Sequence, residues 1–85
     1  ANENEILFYQ NPVSDLMKFD FYSQMEGAAF VNVYDITGRI VKEKQIVISE
    51  GINTVEWSAE TLSVGVYLLK INLNGSEKSI KFLKK

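Results

Sequence analysis

Apolar and polar residues alternate along most of this chain, and short turn sequences interrupt the alternation about every eight to twelve residues. In the clearest case, Met17, Phe19 and Phe21 are separated by Lys18 and Asp20. A period of two puts successive side chains on opposite faces of a β-strand, so each such segment has one buried and one solvated face. The pattern predicts an all-β fold, a small antiparallel immunoglobulin-like β-sandwich of about seven strands.

Turn residues divide the alternating segments into strands. Asn74-Gly75 is typical of a tight two-residue hairpin. Asp35 followed by Gly38 is typical of a longer hairpin turn in which the carboxylate caps backbone amides. Gly38 and Gly65 are predicted to occupy backbone positions that a Cβ atom would strain. The predicted strands cover residues 6–9, 17–21, 29–34, 39–48, 53–57, 66–73 and 76–83.

One set of alternating positions in each strand is predicted to face the core. Phe30 and Tyr34 alternate with Val31 and Val33, so we expect these two aromatic residues to form a surface patch. Aromatic residues at the inward positions are expected to fill the interior of the sandwich. The residues predicted to form the core are Phe19, Val33, Val41, Val55, Trp57, Tyr67, Leu69 and Ile71.

Composition narrows the possible chemistry. The chain has 85 residues, enough for one domain with a thin core, and it contains no histidine and no cysteine. The commonest general base, the thiol nucleophile and the commonest ligands of transition metals are therefore missing. The carboxylates are scattered without an Asp-x-Asp-x-Asp run, so we expect surface and turn roles for them, with a calcium site in a loop as the open alternative. We predict no catalytic residues, no cofactor and no metal.

Charge and hydropathy narrow the possible partners. The net charge of −2 does not provide the basic face that nucleic-acid binding needs, so we predict no nucleic-acid partner. No apolar run approaches the roughly 20 residues of a membrane helix, so we predict no transmembrane segment. The sequence shows no signal peptide and no initiator methionine, and we expect it to come from a longer precursor, with residues 1–5 as a linker remnant.

Lysines concentrate near the end of the sequence, at Lys78, Lys81, Lys84 and Lys85. Lysines on a terminal strand discourage pairing between the sheets of separate molecules. The same cations could form a recognition edge for a partner with acidic groups. The sequence alone does not decide between edge protection and a recognition edge.

Three further motifs precede the lysine-bearing end. The first has Asn11, Pro12 and Asp15. The second runs from Val31 to Val41 and includes Tyr34, Asp35 and Gly38, and the third includes Leu62, Gly65, Tyr67, Lys70 and Ile71. The last strand carries Lys78 and Lys81.

In this order and spacing, the motifs resemble the type A C-terminal sorting domain of bacterial type IX secretion cargo over residues 6–85, although Gln10 stands where that family usually has proline. The candidate recognition residues are Asn11, Pro12, Asp15, Tyr34, Asp35, Gly38, Gly65, Tyr67, Lys78 and Lys81.

The resemblance implies a non-catalytic secretion signal rather than an enzyme. It implies cargo domains N-terminal to this one, passage through the periplasm, and recognition by an outer-membrane secretion translocon. It further implies removal by a sortase-like cysteine protease, exchange for a surface anchor, and a final location at the cell surface or outside the cell. We expect the final strand to dock by β-augmentation, in which backbone groups pair and the lysines set the orientation.

Another function class stays open at this point. Immunoglobulin-like sandwiches also serve as accessory modules that bind carbohydrate or space the domains of secreted enzymes, which is an analogy of fold alone. Trp57 and Tyr34 would be the stacking residues of such a module. An enzyme is the third class, and the missing histidine and cysteine argue against it.

Overall fold

Seven strands make up nearly all of the regular structure in the computed structural model, which describes residues 6–85. Neighbouring strands are antiparallel, and the described residues contain no helix, so the predicted all-β fold is confirmed. The linker remnant predicted at residues 1–5 lies outside the described residues. The strands are β1 (Ile6–Phe8), β2 (Leu16–Ser23), β3 (Gly27–Tyr34), β4 (Ile40–Ile48), β5 (Gly51–Ser58), β6 (Gly65–Leu73) and β7 (Ser76–Lys84).

The strands form two sheets that face each other. One sheet has the order β1-β2-β5 and the other has the order β4-β3-β6-β7. The hairpin between β6 and β7 turns at Asn74 and Gly75, whose φ angles are 50° and 93°. Two consecutive positive φ angles define the tight turn that the Asn-Gly pair predicts. In the strand order, the final strand β7 lies at an edge of the four-stranded sheet.

The core lies between the sheets and is built from the alternating positions. Phe19 in β2 has no exposed surface, and its neighbours Met17 and Phe21 are also buried. Phe82 is buried as well and was missing from the predicted core, although its place in the alternation of the last strand favours burial. Six of the eight predicted core residues are buried: Phe19, Val33, Val55, Tyr67, Leu69 and Ile71.

Val41 and Trp57 are only partly buried, so their assignment to the core was wrong in degree. Between the pairs Val33–Lys42 and Tyr34–Ile40 the register shifts, and Val41 is the extra residue of this β-bulge. Trp57 lies on the edge strand β5, with the ammonium groups of Lys42 and Lys44 at 5.1 and 5.0 Å from the centre of its ring. These inward-pointing lysines protect the open side of the sandwich, where a wholly apolar edge would invite pairing with another chain.

Ring contacts connect the two sheets at the other side of the sandwich. The ring of Phe82 lies 5.1 Å from that of Phe8 and 5.6 Å from that of Tyr67, measured between centroids. Phe8 in turn contacts Phe19 at 5.4 Å. Since Phe8 and Phe19 belong to one sheet and Tyr67 and Phe82 to the other, this aromatic cluster holds the final strand against the three-stranded sheet.

Candidate functional site

The turn between β3 and β4 is organised by the carboxylate of Asp35. Its Oδ1 atom accepts hydrogen bonds from the backbone N–H of Thr37 at 2.9 Å, from the hydroxyl of Thr37 at 2.6 Å and from the backbone N–H of Arg39 at 3.1 Å. Oδ2 lies 3.3 Å from the Arg39 guanidinium. The capping role predicted for this carboxylate is therefore present in the structure.

The same contacts control the ionisation of Asp35. The hydroxyl of Thr37, then the backbone N–H groups of Arg39 and Thr37 and the Arg39 charge, lower the pKa of this carboxyl against a smaller opposing effect of desolvation. Because these groups favour the ionised form, the turn keeps its contribution to stability above the pKa of the unfolded chain. That contribution is lost as the pH falls through the lowered pKa.

Gly38 and Gly65 differ in their backbone conformation. Gly38 has a φ of +88°, in the region that side chains of L-residues rarely adopt, as predicted. Gly65 has no positive φ, and a Cβ added there would meet only the Cε2 atom of Tyr67, at 4.0 Å. The prediction of strain at Gly65 was therefore wrong, because the chain enters β6 in an ordinary extended conformation.

The two glycines should respond differently to the same substitution. Gly38→Ala should lower the free energy of unfolding by about 1–2 kcal/mol, because a left-handed conformation disfavours a Cβ atom. Gly65→Ala should change it by less than about 0.5 kcal/mol, because the added methyl group has room. Urea unfolding of both variants measures the difference, and equal losses at the two positions would contradict this assignment.

The third motif contributes mainly to the core. The ring of Tyr67 is almost fully buried, and its hydroxyl donates a hydrogen bond to the carbonyl of Ser63 at 2.7 Å. This bond ties the loop before β6 to the strand itself. Tyr67 therefore offers little side-chain surface to a partner, and Leu62 from the same motif is buried too.

The first motif lies along the outer edge of the last strand. The side-chain carbonyl of Asn11 accepts a hydrogen bond from the backbone N–H of Leu83 at 3.1 Å. The N–H of Val13 donates to the carbonyl of Leu83 at 2.7 Å, and the N–H of Lys85 donates to the carbonyl of Val13 at 2.9 Å. We call residues 11–13 the strap. Pro12 lies within it, after a cis peptide bond, and the buried side chain of Val13 anchors it.

Asp15 follows the strap and holds the loop before β6. Its backbone carbonyl accepts a hydrogen bond from the N–H of Ala59 at 2.8 Å, and Ala59 is buried. The first motif therefore joins β7 on one side and the 59–64 loop on the other. Its chemistry in this structure is that of backbone pairing, and the exposed carboxylate of Asp15 takes no part in it.

The lysines of the last strand do not share one face. Burial alternates along β7, so that Lys81 points outward and Lys78 is partly buried on the side that faces the core. Lys84 is only 8% exposed, and its ammonium group donates to the carbonyl of Lys85 at 3.0 Å. A single patch of four cations is therefore absent from this strand, and Lys81 is the most open of the three lysines within it.

The strap leaves part of the β7 edge uncovered. In an antiparallel strand, the backbone groups of alternate residues point to opposite sides, and those of Leu83 point away from β6 to the strap. The register between β6 and β7 is unbroken, so the backbone N–H and C=O groups of Glu77, Ser79 and Lys81 also point away from β6. No backbone partner for these three residues occurs on that side within residues 6–85.

A groove of about 530 Å³ lies on the outer face of the four-stranded sheet. Tyr34, Leu68 and Lys81 stand side by side across β3, β6 and β7 and form one row of its floor. The ammonium group of Lys70 lies 5.2 Å from the centre of the Tyr34 ring. The outer-face groove is lined by Tyr34, Asp35, Ile36, Gly38, Val66, Tyr67, Leu68, Lys70 and Lys81.

The groove brings together five of the ten candidate residues from separate parts of the chain. They are Tyr34, Asp35, Gly38, Tyr67 and Lys81. The other candidates, Asn11, Pro12, Asp15, Gly65 and Lys78, lie elsewhere. Ile36, Val66 and Leu68 were not predicted as site residues, although the outward positions of Val66 and Leu68 in an apolar strand could have signalled them. Phe30, predicted to be exposed, is 56% exposed on the same face.

Other kinds of site find little support in the structure. Residues 6–85 contain no group of three or more acidic side chains arranged to hold a metal ion. Within the same range no helix is long and apolar enough to cross a membrane. The Trp57 ring, the proposed stacking residue of a carbohydrate module, is partly buried beneath Lys42 and Lys44.

Comparison with known proteins gives one family. A family model described as a secretion system C-terminal sorting domain matches residues 7–85. No curated protein matches the chain. The matched range covers all seven strands except the first residue of β1, and it includes the three motifs and the last strand.

Proposed function

Because the chain belongs to the type IX secretion C-terminal sorting domains and is thus a signal for secretion to the cell surface or outside, we propose how that signal works. The domain is non-catalytic and follows the cargo domains of one precursor. The precursor passes through the periplasm, and the outer-membrane translocon recognises the folded domain. A sortase-like cysteine protease then removes the domain, and the cargo receives a surface anchor. The family match over residues 7–85 carries this proposal.

The edge of β7 is the recognition element in this proposal. Glu77, Ser79 and Lys81 direct backbone groups away from the sheet that have no partner among residues 6–85, and such groups can pair with a strand of another protein. A strand of the translocon that adds here would extend the four-stranded sheet by one strand. Lys81 would face a carboxylate on the added strand, since directly opposite residues lie on the same face.

The strap sets the limit of this pairing. It already occupies the backbone groups of Leu83 and Lys85, so an added strand has room only before Leu83. This arrangement gives the first motif a function that its sequence did not reveal. The strap blocks the C-terminal end of the β7 edge. The partner strand can therefore pair only beside Glu77, Ser79 and Lys81, which fixes its register.

A proline at position 79 tests the proposed edge. Ser79→Pro removes one outward N–H but no bond to β6, so the fold should tolerate it. In a reporter fused to residues 1–85, with an export signal and a host with a working translocon, we expect at least tenfold less secretion. Ser79→Ala keeps the N–H and should be secreted normally. Secretion of the folded proline variant at the normal rate would contradict recognition through this edge.

A further inference from the structure

The outer-face groove has an apolar floor that the fold does not require. The outer face of an antiparallel sheet is usually polar, and the row beyond Lys70 on either side consists of Glu43, Asn32 and Ser79. At the turn end, by contrast, Ile36 is 81% exposed and Val66 is 37% exposed. Apolar side chains collected at one end of an exposed face are typical of an interaction surface.

Cations border this apolar floor. Lys81 is exposed and has no ion-pair partner within residues 6–85. The ammonium group of Lys70 lies over the Tyr34 ring. It also lies 4.0 Å from the carboxylate of Glu77, and such a long, partly exposed ion pair contributes little to stability. The carboxylate of Asp35 is engaged by Thr37 and Arg39 within its own turn. The groove therefore combines apolar surface with positive charge.

We infer that the outer-face groove binds an extended segment of the secretion machinery in which a large apolar side chain is flanked by carboxylates. A groove of about 530 Å³ has room for a large side chain and its neighbours. The apolar side chain would lie against Tyr34, Val66 and Leu68, and the carboxylates would face Lys70 and Lys81. The identity of the partner rests on the proposed function, whereas the binding chemistry rests on the groove alone.

The groove is continuous with the proposed pairing edge. Lys81 belongs to both, because its backbone lies at the β7 edge and its side chain lines the groove. A partner that adds a strand beside Ser79 and Lys81 can therefore reach the groove with an adjoining segment. The partner would then form backbone hydrogen bonds along the β7 edge and side-chain contacts in the groove.

The binding chemistry can be measured with a defined peptide. The probe is an acetylated and amidated peptide, Ser-Thr-Asp-Leu-Phe-Glu-Thr-Ser, titrated into the isotope-labelled 85-residue chain and followed by NMR. We expect saturable shifts at the amides of Tyr34, Leu68 and Lys81. A peptide with both acidic residues replaced by lysine should bind at least fivefold more weakly. A lack of shifts in the groove, or equal binding of the two peptides, would overturn the inference.

Matched double variants locate the binding surface. Ile36→Thr with Val66→Thr should weaken peptide binding at least fivefold, because both changes remove apolar contact from the groove. Ile52→Thr with Val47→Thr makes the same chemical change at exposed positions elsewhere and should leave binding unchanged. Equal loss in both double variants would overturn the assignment. Groove shifts that depend on protein concentration without peptide would assign the surface to a second copy of this chain instead.

Secretion separates this inference from the function on which it rests. The groove double variant fused to the reporter should be secreted at least fivefold more slowly than the control double variant, with the same melting temperature. Normal secretion of the groove variant would overturn the partner assignment while the sorting function stands. If even the wild-type fusion stays inside the cell, the sorting function fails, and the peptide titration alone decides whether the groove binds this chemistry.

Discussion

Phe19→Ala should lower the free energy of unfolding by about 3–5 kcal/mol. Phe19 has no exposed surface, and its ring lies 5.4 Å from that of Phe8 and 6.4 Å from that of Phe21. Removing it leaves a cavity at the centre of the three-stranded sheet, where the backbone cannot collapse freely. A domain of 85 residues has a total stability of about 4–13 kcal/mol, so this one change should remove between about a quarter and all of it.

Circular dichroism during thermal and urea unfolding measures this loss. Leu16→Ala is the matched control, because Leu16 lies on the same strand but is 48% exposed. We expect the control to lose less than about 1 kcal/mol. Similar losses in the two variants would mean that Phe19 does not occupy the centre of the core.

Phe82→Ala should have an effect of the same size, about 3–5 kcal/mol, and should affect the final strand most directly. The ring of Phe82 contacts Phe8 in one sheet and Tyr67 in the other. Without it, β7 loses its main side-chain attachment across the sandwich. Hydrogen exchange should therefore show faster opening of the amides in β7 than of those in β2.

The matched control for Phe82 is Phe30, which is more than half exposed on the outer face of the same sheet. Phe30→Ala should change stability by less than about 0.5 kcal/mol and should leave exchange in β7 unchanged. Uniform acceleration of exchange across both sheets in Phe82→Ala would contradict a specific role in holding the final strand.

The strands and the sandwich could be predicted because alternation and turn residues act locally. Met17, Phe19 and Phe21 have the period of a half-buried strand whatever their partners are. The turn at Asn74-Gly75 depends on two residues alone. The capping role of Asp35 could be predicted for the same reason, since its carboxylate accepts hydrogen bonds from amides only two and four residues away.

Other features depend on which strands become neighbours, and a local pattern does not contain that information. Trp57 has the parity of a core residue, but it lies on an edge strand and is covered by lysines of the opposite sheet. Val41 shares the outward parity of Glu43 and Val47 in β4, and it packs partly against the core only because a bulge lies beside it. Gly65 resembles a strained turn glycine, although the approach to β6 proves to be extended.

The candidate site was partly predictable for the same reason. The family motifs identified Tyr34 and Lys81, and the structure places both in one row across three strands. The strap could not be foreseen, because its bonds join Asn11 and Leu83, which are 72 residues apart. The alternation around Phe82 already separates Lys81 from Lys78 and Lys84, whereas the near-complete burial of Lys84 depends on the fold.

The central claim is that this domain is a sorting signal, and secretion of a reporter tests it most directly. A fluorescent protein with an ordinary export signal would carry residues 1–85 at its C-terminus, in matched hosts with and without a working type IX translocon. We predict that the fluorescent protein appears outside the cell only in the host with the translocon, with the domain removed. Retention of the folded fusion in the periplasm of both hosts would contradict the claim.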